Sequence, residues 1–378
     1  MSEVIQKAAP QGSPLDNKHR SLGATMIDRE NHSVPGSYGD ESGEYETVRE
    51  EAAGLIDLSS RGRFLVSGSE AIQFLNGLIT NDMKTLEEGR WMPAAFPNVQ
   101  GRLIASVRIV RAAAAEADGN VSPVFLIDTE AVTRHGVLKT IERFTLAGDF
   151  HVTEVTNQTA QFTVQGTKTA DMIRTVLGEE PSTLPANGAT RATWQDVDVT
   201  VIRCTHTGAD GFDLVVNSEH AESLWDSFVN AGARPVGHDA LEILRIEAGI
   251  PRYGIDMDET NVVTEAALDE AVSYTKGCYV GQEIIARIKY RGHVAKKLSG
   301  LAFNQQVKVE AGANVKSSDG KDIGRLTSVT YSPRLSQTIA LGYVKYDYLT
   351  PGTEVKVTAG SDDVVATVAA LPFVSRAR

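Results

Sequence analysis

The stretch Tyr274-Thr275-Lys276-Gly277-Cys278-Tyr279-Val280-Gly281-Gln282-Glu283 is the most distinctive part of this 378-residue sequence. Two glycines bracket a thiol, and glycine lets the backbone take a positive φ or come close to a ligand. Lys276 and Arg287 place positive charge near Cys278, which favours its thiolate form. The stretch therefore predicts a loop that carries a reactive cysteine and opens a short helix at Gly281. The alternative is a packed free cysteine in a turn between two domains.

Downstream of this stretch the sequence changes character. After Lys297 it consists of short alternating runs separated by turn signals, and Asp319-Gly320 is typical of a tight hairpin. The runs are 298–303, 325–331, 338–344, 354–358 and 364–370. We therefore predict a small all-β barrel or sandwich over residues 296–378.

Upstream, residues 19–295 mix strand and helix patterns without the regular alternation of a doubly wound sheet. Phe64-Leu65-Val66 is typical of a strand, whereas the apolar faces in 172–177 and 224–229 are typical of helices. This mixture favours an α+β class with antiparallel sheets. The opening of the chain is rich in Gly, Pro, Ser, Asn and acids, so we expect a disordered tail over 1–18 and an irregular arm after it.

Composition and charge limit the classes of function. The chain has 37 basic and 49 acidic residues, a formal charge of −12, which disfavours a nucleic-acid coat or a basic membrane-surface protein. Its two cysteines, Cys204 and Cys278, cannot form a closed four-ligand zinc or iron–sulfur site, and so low a count is typical of a reducing compartment. The sequence shows neither an apolar signal core at its start nor an apolar run long enough for a bilayer. We expect a cytoplasmic protein without a membrane partner.

Three other stretches share a pattern with known proteins. They are Val48 to Asp57, Leu78-Ile79-Thr80-Asn81-Asp82, and Leu244-Arg245-Ile246-Glu247-Ala248-Gly249 followed by Tyr253. Together with Lys276 to Glu283, they resemble the YgfZ family, folate-binding proteins that support iron–sulfur enzymes. The Arg-x-Glu-Ala-Gly segment is shared by that family and by the aminomethyltransferase, or T-protein, of the glycine cleavage system. The resemblance covers roughly residues 19–378.

This resemblance implies a three-lobed, aminomethyltransferase-like fold. Ferredoxin-like α+β lobes would surround a central cavity for tetrahydrofolate, over residues 19–295, and a C-terminal β-barrel would close it. The implied function is folate binding in support of the assembly or repair of iron–sulfur enzymes, with a link to tRNA modification. Iron–sulfur enzymes or cluster carriers are then the expected protein partners.

Within the shared motif, the resemblance implies that Cys278 is a reactive thiol with Lys276 beside it. No stably bound metal is expected, although Cys278 can lend one thiolate to a cluster held partly by a partner. The remaining motif residues are Gly277, Tyr279, Gly281, Gln282 and Glu283.

The resemblance also implies folate contacts, at Asp213, Arg245, Glu247 and Tyr253. Asp213 stands where T-proteins carry a longer glutamate, and Leu241 stands where they carry a folate-contacting arginine. The form and affinity of the bound folate are therefore left open. For Arg245 and Glu247 the alternative role is a buried structural ion pair.

The alternative function is that of a tetrahydrofolate-dependent aminomethyltransferase. T-proteins have paired aspartates on one strand, one of them catalytic, and this sequence has Ala105 and Ser106 there. Without a carboxylate, general acid–base catalysis at the folate nitrogen has no evident agent. The sequence thus ranks aminomethyl transfer second.

A basic cluster follows the cysteine, at Arg287, Lys289 and Arg291, with Lys296 and Lys297 beyond it. One interpretation is a solvated strand edge. The other is a rim that attracts anions, either the glutamate tail of folate or RNA phosphates. Of these we favour folate, and we expect no direct nucleic-acid binding.

Cys204 and the histidines give weaker signals. Cys204 follows a strand-like run and is predicted to be a core residue. The eight histidines, His206 among them, show no metal-binding spacing, so they are predicted to be surface or core residues.

Overall fold

A computed structural model of the protein describes residues 10–50, 52–117, 120–144 and 148–375. The helices in these ranges are α1 (Asp16–Ser21), α2 (Glu41–Arg49), α3 (Ala71–Leu78), α4 (Arg134–Phe144), α5 (Thr169–Leu177), α6 (Glu179–Ser182), α7 (Ala221–Asn230), α8 (His238–Glu247) and α9 (Gln282–Arg291). The strands as far as α8 are β1 (Thr25–Arg29), β2 (His32–Ser37), β3 (Ala53–Asp57), β4 (Gly62–Ser67), β5 (Trp91–Pro97), β6 (Leu103–Ala117), β7 (Asn120–Thr129), β8 (His151–Glu154), β9 (Thr159–Gly166), β10 (Ala189–Trp194), β11 (Val197–Arg203), β12 (Gly211–Asn217) and β13 (Arg234–Pro235). The strands after α9 are β14 (Lys296–Phe303), β15 (Asn314–Lys316), β16 (Asp322–Ser332), β17 (Gln337–Lys345), β18 (Glu354–Ala359) and β19 (Asp362–Ala369).

Two sheets form the α+β part of the molecule. One has the order β5-β6-β7-β4-β8, and the other has the order β10-β11-β12-β9-β3-β13, in which the β13–β3 pair is parallel. Helices cover one face of each sheet: Leu75 of α3 and Ile141 of α4 pack on the first, and Ile173 of α5 and Trp225 of α7 pack on the second. The predicted α+β class is confirmed.

The C-terminal lobe is a closed barrel of six strands in the order β14-β17-β16-β15-β18-β19. Alternate residues point inward, so that Leu301 and Phe303 of β14 and Val355 and Val357 of β18 all lie in its core. Closure pairs every strand with two neighbours and leaves no free sheet edge. The prediction of an all-β C-terminal lobe is confirmed, and of the two forms predicted it is the barrel.

The N-terminal arm differs from the prediction. Residues 1–9 lie outside the described ranges, but residues 10–18 contain the start of α1, and the β1–β2 hairpin follows. Leu15 and His19 are both fully buried, and the ring of His19 bonds the Asp57 carboxylate at 3.0 Å. The prediction of a disordered tail was wrong for residues 10–18, because it was based on a polar composition. Here the polar side chain of His19 is buried in a hydrogen-bonded pair with Asp57 and is not solvated. Residues 10–37 therefore form part of the packed structure.

Helix α8 joins the α+β part to the barrel through the side chain of Glu247. Its carboxylate, which is fully buried, accepts hydrogen bonds from Tyr45 at 2.8 Å, Arg49 at 2.5 Å and Ser332 of the barrel at 2.5 Å. Asp256, in the segment after α8, accepts two more hydrogen bonds from the barrel, from Thr327 and Ser328, each at 2.6 Å. These buried charge-assisted bonds fix the barrel against the helix.

None of the helices in the described ranges has the length and hydrophobicity that crossing a bilayer requires.

Candidate functional site

A central cavity of about 90 Å³ lies between the β1–β2 turn, helix α8 and the loops at the ends of strands from both sheets. Apolar and charged side chains share its lining. The apolar ones include Leu58, Leu241, Ile250 and Pro251, and the charged or polar ones include Arg29, Glu30, Arg61, Glu130, His206, His238 and Glu242. Such a mixture is typical of a site for a small organic ligand.

The tip of the β1–β2 hairpin reaches into this cavity. Arg29 donates to the Glu242 carboxylate at 2.5 Å and to the ring of His238 at 2.8 Å. Glu30, beside it, lies 4.0 Å from the guanidinium of Arg252. Burial and the neighbouring Glu130 raise the pKa of Glu30. The arm that composition predicted to be irregular therefore supplies one wall of the cavity.

His238 is held in one neutral tautomer by its two neighbours. Nδ1 accepts from Arg29, so Nε2 carries the proton and donates to the carbonyl oxygen of Asp57 at 2.9 Å. Burial, with the positive charge of Arg29, lowers the pKa of His238 to about 4. Protonation of Nδ1 would remove the acceptor that holds Arg29 in the cavity.

Arg108 of β6 links the two sheets behind the cavity. Its guanidinium donates to Asp128 of β7 at 2.5 Å and makes a short bond to Asp213 of β12. Asp213 is fully buried and also accepts from Gln161 at 3.1 Å. Although burial opposes ionisation, His206 and Arg108 hold the pKa of Asp213 well below its usual range. The oxygens of this predicted folate contact are thus already engaged by protein groups.

The other predicted folate contacts lie in different surroundings. Arg245 lines the cavity, but its guanidinium bonds Asp256 at 2.7 Å and Ser328 at 2.6 Å. Glu247 holds the barrel, and the Tyr253 hydroxyl donates to the carbonyl oxygen of Leu103 at 3.1 Å. Glu247 and Tyr253 are therefore placed in structural networks away from the described cavity lining. Leu241 lines the cavity and gives it an apolar wall.

Ala105 and Ser106 lie on β6, three and two positions before Arg108. Ala105 is fully buried in the core beneath the first sheet. Because side chains alternate along a strand, Ser106 points to the same side as Arg108. Neither side chain can serve as the carboxylate that the paired aspartates supply.

The motif loop, residues 274–283, lies outside the described cavity lining. Lys276 is buried, and its ammonium donates to the carbonyl oxygens of Asn76 at 2.7 Å, Ile79 at 2.9 Å and Asn81 at 2.6 Å. Burial lowers the pKa of Lys276 to about 8. Lys276 thus caps the end of α3, while the Cys278 thiol is exposed.

The glycines of the motif loop have different roles. Gly281 has φ of +78°, and a Cβ there would lie 2.4 Å from the carbonyl oxygen of Asn98. A Cβ on Gly277 would meet nothing within 4 Å. The close approach at Gly281 lets the loop pack on the turn before β6, where the Tyr279 side chain is buried with Leu103.

The basic cluster belongs to helix α9 and its C-terminal end, so the interpretation as a strand edge is wrong for Arg287, Lys289 and Arg291. Gln282 and Glu283 begin this helix as predicted, and Glu283 pairs with Arg287 at 2.8 Å one turn later. All three cationic side chains are exposed. They form a basic surface next to the motif loop.

The structure brings together three residues that sequence reasoning did not connect. His206 Nε2 lies 3.0 Å from both carboxylate oxygens of Asp213 and 4.0 Å from Cys204 Sγ. Burial raises the pKa of the Cys204 thiol well above its usual value, despite the charge of Arg108. The sequence feature that could have revealed this cluster is the register of the β11–β12 hairpin. Ile202 pairs with Asp213, and Cys204 lies two residues beyond Ile202, so Cys204 and Asp213 are on the same face of the sheet.

Comparison with known structures and protein families defines the class of protein to which this chain belongs. The structure of the glycine cleavage system aminomethyltransferase T from Bartonella henselae superposes with a TM-score of 0.87, covering 96% of this chain and 98% of that one at 23% identity. The fold is thus the aminomethyltransferase fold. Residues 15–276 match the GCVT N-terminal domain and residues 296–375 match the glycine cleavage T-protein C-terminal barrel domain. The chain therefore belongs to the aminomethyltransferase family.

Curated relatives match along almost the whole chain. The aminomethyltransferase of Thermotoga neapolitana is 30% identical over 369 residues, which cover 96% of this chain and 97% of that protein. The aminomethyltransferase of Rubrobacter xylanophilus is 31% identical over 378 residues, with 99% and 97% coverage. The predicted superfamily is confirmed. The names of these relatives favour aminomethyl transfer, which the sequence analysis ranked second, over YgfZ-like support of iron–sulfur enzymes, which it ranked first.

Replacing Gly281 by alanine is expected to destabilise the protein by about 2 kcal/mol or more, because an L-residue at this φ is strained and its Cβ meets a backbone oxygen. Gly277→Ala is the matched control, and we expect a change of at most about 0.5 kcal/mol. Urea unfolding followed by circular dichroism measures both. Equal stabilities of the two variants would contradict the structural role of Gly281.

Lowering the pH is expected to weaken the fold through His238. Its folded pKa, about 4, lies below the ordinary value of 6.5, so the unfolded chain takes up the proton first. The neutral ring contributes fully to the free energy of unfolding above pH 6.5, and this contribution falls by about 3 kcal/mol as the pH approaches 4. The penalty of His238→Gln in urea unfolding should therefore be larger at pH 7 than at pH 4.5. A penalty independent of pH would contradict this assignment.

Proposed function

We propose that the protein binds tetrahydrofolate in the central cavity and transfers a one-carbon unit to or from it, in the manner of an aminomethyltransferase. The observation that carries this proposal is the family match, which extends through both domains and along almost the whole length of curated aminomethyltransferases. A fold alone would be a weak argument, because one fold can serve several functions. The sequence identity of 30% over 96% of the chain supports the proposal in a way that a shared fold alone cannot.

The chemistry of the cavity supports a folate ligand. A pterin ring is flat, with N–H donors along one edge, and it needs apolar contact on its faces and acceptors at that edge. Leu58 and Leu241 supply apolar contact, and the carboxylates of Glu30 and Glu130 are acceptors in the same lining. Glu30 has the Arg252 guanidinium 4.0 Å away and Glu130 is bonded by Arg61, and both carboxylates keep lone pairs that can accept from a ligand N–H.

The hairpin tip borders the space into which a folate would bind. The cavity of about 90 Å³ is smaller than the pockets of about 300–1,000 Å³ that usually hold small organic ligands. Arg29 and Glu30 line this cavity, and the turn at Glu30 and Asn31 lies at the end of a two-stranded hairpin. We propose that this turn swings outward, which breaks the Arg29 bonds to His238 and Glu242.

The missing carboxylates limit the rate of transfer but leave binding intact. A positioned acid or base contributes roughly 10²- to 10⁴-fold to such a step. Wild-type turnover should therefore be at least about 100-fold slower than that of an enzyme with the paired aspartates. Of the two positions, Ser106 is the one to test with a carboxylate, because it is only partly buried and faces the same side of β6 as Arg108, whereas Ala105 faces the core.

Ser106→Asp is expected to raise kcat for release of ammonia and methylenetetrahydrofolate from an aminomethylated lipoyl carrier by about 10-fold or more, with little change in KM. Ser318→Asp, which adds the same charge at an exposed turn of the barrel, should change neither constant. Calorimetry on the same proteins should give one tetrahydrofolate per chain.

Two results separate binding from chemistry. Absence of tetrahydrofolate binding in calorimetry would contradict the whole proposal. Binding with no turnover, in wild type and Ser106→Asp alike, would leave a folate-binding protein and remove the transferase.

A second candidate function is the YgfZ-like support of iron–sulfur enzymes, and the exposure of Cys278 favours it. The thiol lies at the surface of the motif loop, beside the basic surface of Arg287, Lys289 and Arg291. An exposed thiol there can meet a cluster or a partner protein, whereas a structural cysteine is usually buried.

This second candidate predicts that Cys278→Ala fails to restore iron–sulfur enzyme activity in a bacterium that lacks its own YgfZ protein, although the variant folds normally. Thr275→Ala, an exposed neighbour in the same loop, should restore it fully. Full rescue by Cys278→Ala, or no rescue by the wild type, would remove this candidate.

A further inference from the structure

We propose that Cys204, His206 and Asp213 form a binding site for one Zn²⁺ ion at the wall of the central cavity. The three side chains come from the β11–β12 hairpin, and their ligand atoms all lie within 4.8 Å of one another. Thiolate, imidazole and carboxylate are the three ligand types that zinc takes in proteins. The inference concerns this chain's own side chains and does not depend on the folate proposal.

The spacing of the ligand atoms fits a tetrahedral ion. Ordinary zinc bond lengths put a sulfur and a nitrogen ligand about 3.6 Å apart, and a nitrogen and an oxygen ligand about 3.4 Å apart. The observed distances are 4.0 Å from Cys204 Sγ to His206 Nε2 and 3.0 Å from His206 Nε2 to Asp213 Oδ1. The first distance is about 0.4 Å longer and the second about 0.4 Å shorter than in a zinc-bound set, and all three atoms lie within 4.8 Å of one another.

Surrounding residues hold the ligands in place. Gln165, fully buried, donates to the carbonyl oxygen of Cys204 at 3.2 Å and accepts from the backbone N–H of His206 at 3.1 Å. Asp213 Oδ2 accepts from Arg108 and Gln161, which leaves Oδ1 for the ion. Such hydrogen bonds to ligating groups orient them and strengthen metal binding.

The site is open on one side. His206 lines the cavity and keeps 20% of its side chain exposed, whereas Asp213 is fully buried. Three protein ligands with a fourth position open to a cavity is the arrangement of a catalytic zinc ion. The fourth ligand is then water or an anionic atom of a molecule in the cavity. The cysteine count excluded a closed four-ligand site, but it did not address one with three ligands.

Formation of the sulfur–zinc bond requires the Cys204 thiolate. The buried thiol gives up its proton to the solvent, and the sulfur binds the ion in its place. His206 binds the ion through Nε2, so the ring proton of the bound imidazole lies on Nδ1.

Titration of the metal-free full-length protein with Co²⁺, followed by competition with Zn²⁺, tests the site. We expect one Co²⁺ per chain, the visible bands of a tetrahedral ion and a near-ultraviolet thiolate charge-transfer band, all displaced by one equivalent of Zn²⁺. Cys204→Ser should abolish the charge-transfer band and weaken binding by about 100-fold or more. Cys278→Ser, the exposed cysteine, should change nothing.

His206→Ala provides a second variant in case Cys204→Ser fails to fold, because His206 is partly exposed. It should weaken Co²⁺ binding about 100-fold and retain the thiolate band at saturating metal, whereas His220→Gln should match the wild type. No stoichiometric binding to the wild type would overturn the proposal. So would a charge-transfer band that disappears in Cys278→Ser and persists in Cys204→Ser.

Discussion

The guanidinium of Arg108 holds the α+β part of this molecule together where its two sheets meet. It bonds Asp128 from one sheet and Asp213 from the other, and all three groups are almost completely buried. Removing a single partner from such a group leaves an uncompensated buried charge, which typically costs about 3–5 kcal/mol. The same two carboxylates also bond Arg61 and His206, which line the cavity, so the contact ties the joint between the sheets to the cavity wall.

Much of the fold could be predicted from the sequence because its signals are local. The barrel strands alternate with period two and end at turns such as Asp319-Gly320, and the helices at 172–177 and 224–229 carry one apolar face each. The N-terminal arm could not be predicted in this way. His19 and Arg29 are polar residues whose burial depends on Asp57 and Glu242, which lie far away in the sequence.

The candidate site, like the fold, could be predicted from the sequence only in part. The motif loop was found from sequence, yet Lys276 and Gly281 act there by capping α3 and by allowing a close backbone contact, which no spacing reveals. The cluster of Cys204, His206 and Asp213 was missed because its parts meet only through the register of a hairpin. Resemblance identified the superfamily but assigned Glu247 to folate, whereas the structure places it in the joint with the barrel.

The family match and the charged lining of the cavity both support the central claim, which is that a folate binds between the hairpin tip and α8. Crystals grown with 5-formyltetrahydrofolate, a stable folate, test it most directly. The account predicts electron density for the pterin in the central cavity, against Leu58 and Leu241, with the turn at Arg29 and Glu30 displaced outward. Density at another place, or an unchanged hairpin with no ligand at a saturating concentration, would contradict it.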